Sequence, residues 1–151
     1  MPPIPPAVRP KSAASASVFA IAVSALLGGL AGGIAWCFFS LPFAWFTTYG
    51  IVPVGAALGV FLRWQGYRGG AAIASTVCAI LIAFVYAQYL FGAMRIADSL
   101  GMPLREAFFK AGFDLTSRVA WANLHAPDGV ALAFAMAAGA AVAAIRSRPR
   151  G

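Results

Sequence analysis

Side chains able to do chemistry are scarce in this chain of 151 residues: one histidine, His125, two cysteines, Cys37 and Cys78, and four acids, Asp98, Glu106, Asp114 and Asp128. A single imidazole builds neither a histidine-pair metal site nor a bis-histidine haem. Cys37 falls near the outer end of the first apolar stretch and Cys78 in the opposite half of the third. At helical rise their depths differ by about 20 Å, beyond disulfide reach, so both are expected as small buried hydrophobes. His125, Asp114 and Asp128 are the residues that would serve acid–base or metal chemistry if the fold gathered them near one membrane face. A solvated histidine with no catalytic part is the simpler expectation. Gly66, Gly69 and Gly70 follow no strand and belong to a turn, not to a phosphate-cradling loop. No catalytic, cofactor-binding or metal-ligating residue is assigned, and the chain is not expected to be an enzyme.

Transport is the other chemistry to weigh. Ion-coupled carriers keep an ionisable group inside the bilayer, where it is costly and therefore functional. None of the charged residues here lies inside the four long apolar stretches. The polar groups at membrane depth are Ser24, Thr47, Thr48, Ser75, Thr76, Tyr86, Gln88 and Tyr89, with Ser75, Thr76 and Gln88 the candidate lining of an oligomeric pore. Small multidrug transporters share the four-span plan but require a carboxylate in the first span, and this chain has none there.

The elements that would position these groups follow from composition and charge. Hydrophobic residues make up 62% of the chain and charged residues 10%, against about a quarter charged in soluble domains. The polar residues are too few to cover a soluble core of this size. The N-terminal arm (Arg9, Lys11), the 63–70 hairpin (Arg63, Arg68) and the tail (Arg146, Arg148, Arg150) carry seven cations and no acid. Residues 92–129 balance four cations (Arg95, Arg105, Lys110, Arg118) with the four acids. The whole net charge of +7 thus sits on one side. The positive-inside bias leaves this pattern on a four-span protein with both termini cytoplasmic. A pI near 10.3 does not signal nucleic acid, because the excess cations flank span ends, where each is worth about 1 kcal/mol against anionic headgroups. Arginine outnumbers lysine nine to two, an association with GC-rich bacterial genomes that makes the inner membrane the expected location.

Along the chain, a Pro-rich arm (1–16) is expected to be disordered and cytoplasmic. Spans are expected at about 17–39, 44–62, 71–91 and 130–145, followed by a basic tail (146–151). Span one runs well past the 7–15 residues of a signal-peptide core, so it is expected to be retained. Trp36, Trp45 and Tyr49 suggest an interfacial aromatic belt, and Pro53 a kink in span two. Span three is expected to continue above the membrane to Leu100, with Gly101 as its left-handed stop. Pro127-Asp128-Gly129 reads as a turn, with Asp128 as N-cap of span four. That span, at 16 residues, reaches only about 24 Å.

Pro103 is placed to start a helix reaching Leu124. Leu104, Phe108, Ala111, Leu115, Val119 and Ala122 give an apolar stripe. Opposite stand Glu106, Lys110, Asp114 and Arg118 at four-residue steps with alternating sign. The segment 103–124 is thus expected to be an amphipathic helix on the extracytoplasmic face, its Phe108, Phe109, Phe113 and Trp121 against the membrane surface or the bundle.

In lipid, small residues and not hydrophobicity select helix contacts. Span one offers Ser24, Gly28 and Gly32 with Ala25, Gly29 and Gly33 beside them. Span two offers Gly55 and Gly59, and span four Ala131, Ala135, Gly139 and Ala143. Packing within one bundle is the expected use; a homo-oligomer or a membrane-protein partner held through Gly28, Gly32 or the 103–124 helix is the alternative. The run Val54-Gly55, Gly59, Arg63, Gly66 and Gly69-Gly70 resembles a loose group of small four-span bacterial membrane proteins over about residues 45–145. That resemblance implies neither an activity nor site residues. The expected whole is an all-α membrane protein of four transmembrane helices plus an interfacial helix, in contact with lipid. Its expected role is that of an accessory, assembly or scaffold subunit, with an oligomeric channel or small-solute transporter as the rival.

Overall fold

The computed structural model describes residues 13–43, 46–67 and 69–145, apart from the side chains of residues 13–17 and of Phe108. The Pro-rich arm through residue 12, Trp45, Arg68 and the tail from residue 146 lie outside the described residues. Among the described residues all regular structure is helical: α1 (Ala13–Ser40), α2 (Phe46–Tyr49), α3 (Ile51–Trp64), α4 (Gly69–Leu100), α5 (Leu104–Lys110), α6 (Gly112–Ala122) and α7 (Ala126–Ala144). Among the described residues, four stretches are long and apolar enough to cross a bilayer: Val18–Ser40, Phe46–Trp64, Gly69–Leu100 and Ala126–Ala144.

The central helix is α4, which packs against α1, α3, α5, α6 and α7. Its inward face is a ladder of small residues, with Ala72, Thr76, Ala79, Ala83 and Ala87 all fully buried. Among the described residues, two pairs of spanning helices approach to backbone contact over glycine. A Cβ built on Gly29 would lie 2.7 Å from the Ala79 carbonyl oxygen, and one on Gly33 2.8 Å from that of Ala83. On the other side, Cβ atoms on Gly55 and Gly59 would each lie 2.7 Å from a carbonyl oxygen of α7, Ala135 and Gly139 respectively. Such approach maximises dispersion contact where lipid removes the hydrophobic drive. Gly28 and Gly32 also face inward, toward Leu58, Phe61 and Val54 of α3. The structure therefore uses the small face of span one inside the chain.

Several sequence expectations are corrected. Trp36 is not part of an interfacial belt: it is 1% exposed, between Phe84 and Phe91 of α4, and its indole Nε1 donates to the Phe46 carbonyl oxygen at 2.9 Å. An indole is a large apolar body with one donor, and here that donor closes the α1–α2 turn. Tyr49 is exposed. Pro53 does not kink a continuous helix; the helix is interrupted at Gly50 and restarts at Ile51, placing Pro53 in the first turn of α3, where its missing N–H costs little. Cys37 is buried as expected, but Cys78 is exposed, because it turns away from the alanine ladder of α4.

Span four begins at Ala126, four residues earlier than its apolar run suggests. Pro127 and Asp128 occupy its first turn, and the N-cap is His125, whose backbone N–H donates to Asp128 Oδ2 at 2.9 Å. Asp128 thus closes the cap from three residues inside the helix, as the acidic half of a capping box does. With 19 residues α7 reaches about 28 Å, close to the roughly 30 Å hydrocarbon core.

Candidate functional site

Helix α4 has 32 residues and is about 48 Å long, so it overshoots the hydrocarbon core by several turns. Its last turns carry Arg95 and Asp98. The stop is a Schellman closure: Gly101 takes φ +60°, its N–H donates to the Asp98 carbonyl oxygen, and that of Met102 donates to Ala97. Met102 then packs on a second small core formed by Ile96, Ala97 and Ala107, joined by Ala111 and Val119. The chain returns over this overhang as α5 and α6.

Residues 103–124 form two helices, not one. Gly112 at φ +68° opens α6 immediately after α5 ends at Lys110. The flanking pairs form as expected, with Lys110 Nζ 3.0 Å from Glu106 Oε2 and Arg118 Nε 3.1 Å from Asp114 Oδ2. The middle step of the ladder, Lys110 to Asp114, falls across the break. The seated face also differs from the expected stripe. Ala107, Thr116 and Ala120 are buried, whereas Leu104 and Leu115 are exposed. The reason is close approach: a Cβ on Gly92 of α4 would lie 2.9 Å from the Thr116 carbonyl oxygen and 3.3 Å from Ala120 Cβ. Only small residues of α6 fit there, and Phe113 and Trp121 are turned outward.

Two cavities flank this α4–α6 contact. The first, of about 430 Å³, has a mostly apolar wall that carries several polar groups, and it lies between α2, α4, α6 and the start of α7, with Thr47, Thr48, Gln88, Arg95, Asn123 and Asp128 among its lining residues. Arg95 donates through Nη1 to Asn123 Oδ1, and it forms no ion pair among the described residues. The second, of about 640 Å³, is an apolar groove walled by Leu30 of α1 and Leu81–Tyr89 of α4, and roofed by Phe113, Trp121 and Leu124. Tyr89 stacks on Phe113 at 5.6 Å between ring centroids. Gln88 and Ala120 line both spaces. A further cavity of about 820 Å³ opens at the α3–α4 turn beside Arg63, Tyr67 and Ile145, and there Tyr67 shares a 3.2 Å hydroxyl–hydroxyl hydrogen bond with Ser24 of α1.

The histidine–carboxylate trio does not assemble. Asp114 stays with Arg118 on α6, and Asp128 is held by the His125 backbone. Among the described residues no three histidine, cysteine or acidic groups converge as metal ligands would. Ser75 and Thr76 are buried and donate to the Ala72 carbonyl oxygen of their own helix, at 3.0 and 2.7 Å. They line none of these three cavities; of the three candidate pore residues only Gln88 does. Sequence reasoning passed over Arg95 and Asn123, although a seven-residue step from Gln88 to Arg95 puts both on one helix face.

No protein-family model, curated protein or solved structure matches the chain. It is a multi-pass helical membrane protein.

Proposed function

We propose that the chain is a non-enzymatic accessory or assembly subunit of the bacterial inner membrane, with both termini cytoplasmic, that presents the α5–α6 platform to a membrane-protein partner. The observation that carries this reading is the contrast within the platform. Its inner face is fixed to α4 at backbone distance through Gly92, while Leu104 and Leu115 are exposed on its other side. Interface anchors are typically large apolar side chains on a rigid base, with a rim of charges such as the Glu106–Lys110 and Asp114–Arg118 pairs. The orientation is supported by the one-sided cation excess around the Gly66 turn and both ends.

Affinity purification in mild detergent tests the role. A stoichiometric membrane partner is expected, and Leu115→Ser, a change at an exposed position, should release it without altering the fold. A homo-oligomer without foreign protein that passes solutes in liposomes would replace this reading with the channel. Reporter tags in the Gly66 turn and after Gly151 should both report the cytoplasm; opposite sides would overturn the orientation.

A further inference from the structure

We propose that the two adjoining cavities together hold one glycerophospholipid of the leaflet on the α5–α6 side, with an acyl chain in the apolar groove and its phosphate beside Arg95. This needs only the membrane-spanning bundle and is independent of the partner-docking role.

Depth selects the occupant of the groove. Its α4 wall runs from Leu81 to Tyr89, a rise of about 12 Å, which is close to half of the roughly 30 Å hydrocarbon core. The groove is therefore one leaflet deep. A partner's spanning helix would need the full thickness and would run into the roof of Phe113, Trp121 and Leu124. An acyl chain ends near the midplane and passes beneath that roof.

Charge selects the head. Arg95 stands seven residues beyond Gln88 on the same face, about 10 Å farther along the helix axis. If span three crosses over about residues 71–91, as its apolar run implies, that height falls beyond the hydrocarbon edge, within the headgroup layer. Its hydrogen-bond partner is the neutral carbonyl of Asn123, and it forms no ion pair among the described residues. A guanidinium carries five donors, leaving several free for phosphate, which it binds in fork geometry. The cavity's lining also includes a carboxylate, Asp128, which accepts the His125 N–H and keeps its charge, so the phosphate is expected on the Arg95 side, away from it. Gln88 and Ala120, shared by both linings, mark where head and chain would join.

The test pairs native mass spectrometry with photolabelling of the full chain in nanodiscs, using a phospholipid that carries a diazirine midway along one acyl chain. One retained lipid per chain is expected, with label concentrated in peptides 81–89 and 113–124 over the lipid-facing Val60 and Phe134 of α3 and α7. Val85→Trp fills the groove from a position that is 65% exposed and should remove most of the label. Arg95→Gln should lower retention about fivefold, as the loss of one cation at a lipid surface implies. Diacylglycerol of the same chains should compete poorly, and inorganic phosphate should not compete. Label spread evenly over all four helices, retention indifferent to both variants, equal competition by diacylglycerol or free phosphate, or a foreign polypeptide crosslinked in the groove would each overturn the proposal. Thermal unfolding of Val85→Trp and Arg95→Gln, expected unchanged, separates lost binding from lost fold; a shift would move the decision to Phe113→Ala, which removes one of the three roof residues and its stack on Tyr89, with groove labelling expected to fall and unchanged labelling overturning the proposal.

Discussion

Gly28 and Gly29 are neighbours in α1, yet adding one methyl group to each should move stability in opposite directions. At Gly28 a Cβ meets Leu58 and Phe61 at 3.4 Å, an ordinary contact. At Gly29 the same atom lies 2.7 Å from the Ala79 carbonyl oxygen and 2.8 Å from Ile82 Cβ. To recover the 3.4 Å spacing of its neighbour, α1 would have to back away from α4 by about 0.7 Å. That displacement loosens every contact along the longest helix pair of the bundle, including the matching approach at Gly33. Glycine to alanine in a helix interior gains about 0.5–1 kcal/mol, and it gains this at both positions. The difference between the two variants therefore isolates the overpacking term, about 1–3 kcal/mol. Reversible unfolding by SDS titration in mixed micelles, followed by tryptophan fluorescence, gives the comparison. Gly28→Ala should match or exceed the parent protein, and Gly29→Ala should fall below it. Equal stabilities, within about 0.5 kcal/mol, would show that α1 does not rest on α4 through this face, and the packing described here would be wrong.

Two further outcomes follow from buried polar and backbone groups. Trp36→Phe keeps an aromatic ring against Phe84 and Phe91 but removes one of the two donors to the Phe46 carbonyl oxygen, the Gly50 N–H remaining, and should cost about 0.5–1.5 kcal/mol in the same titration. Gly101→Ala meets no steric obstacle yet forces alanine to φ +60°, at about 1–2 kcal/mol. Hydrogen exchange should then quicken at Met102 and through α5 while α1 and α3 stay protected.

The parts of this fold legible in the sequence are those set by short-range rules. Four apolar runs are visible because desolvating a backbone demands helices about 20 residues long. Glu106–Lys110 and Asp114–Arg118 are visible because four residues make one turn. The stop at Gly101 is visible because glycine tolerates the left-handed region. What stayed hidden was the inside of the bundle. In water a helix marks its buried face by hydrophobicity, but in lipid both faces are apolar, and the interior is marked by small size instead. The alanine ladder at Ala72, Ala79, Ala83 and Ala87 looks like unremarkable hydrophobic sequence for that reason. The same rule turned Phe113 and Trp121 outward and seated Thr116 and Ala120. Trp36 looked interfacial because only the three-dimensional structure supplies its acceptor. The start of α7 was missed because Pro127-Asp128-Gly129 spells a turn, and a first helical turn uses the same residues. The candidate site was the least legible part, since Arg95, Asn123 and Gln88 come from segments that meet only after α6 folds back.

The pairing order of the helices has a biosynthetic consequence. Helix α1 rests chiefly on α4, and α3 chiefly on α7, so neither early span meets its main neighbour among the residues made next. During vectorial synthesis the first two spans enter the bilayer and wait, and the glycine-lined seam on each stays open to lipid until the third and fourth spans arrive. Arrival of α4 then closes the α1 seam and arrival of α7 the α3 seam, and a nascent chain stalled before Ala126 is expected to remain half-closed and open to membrane proteolysis.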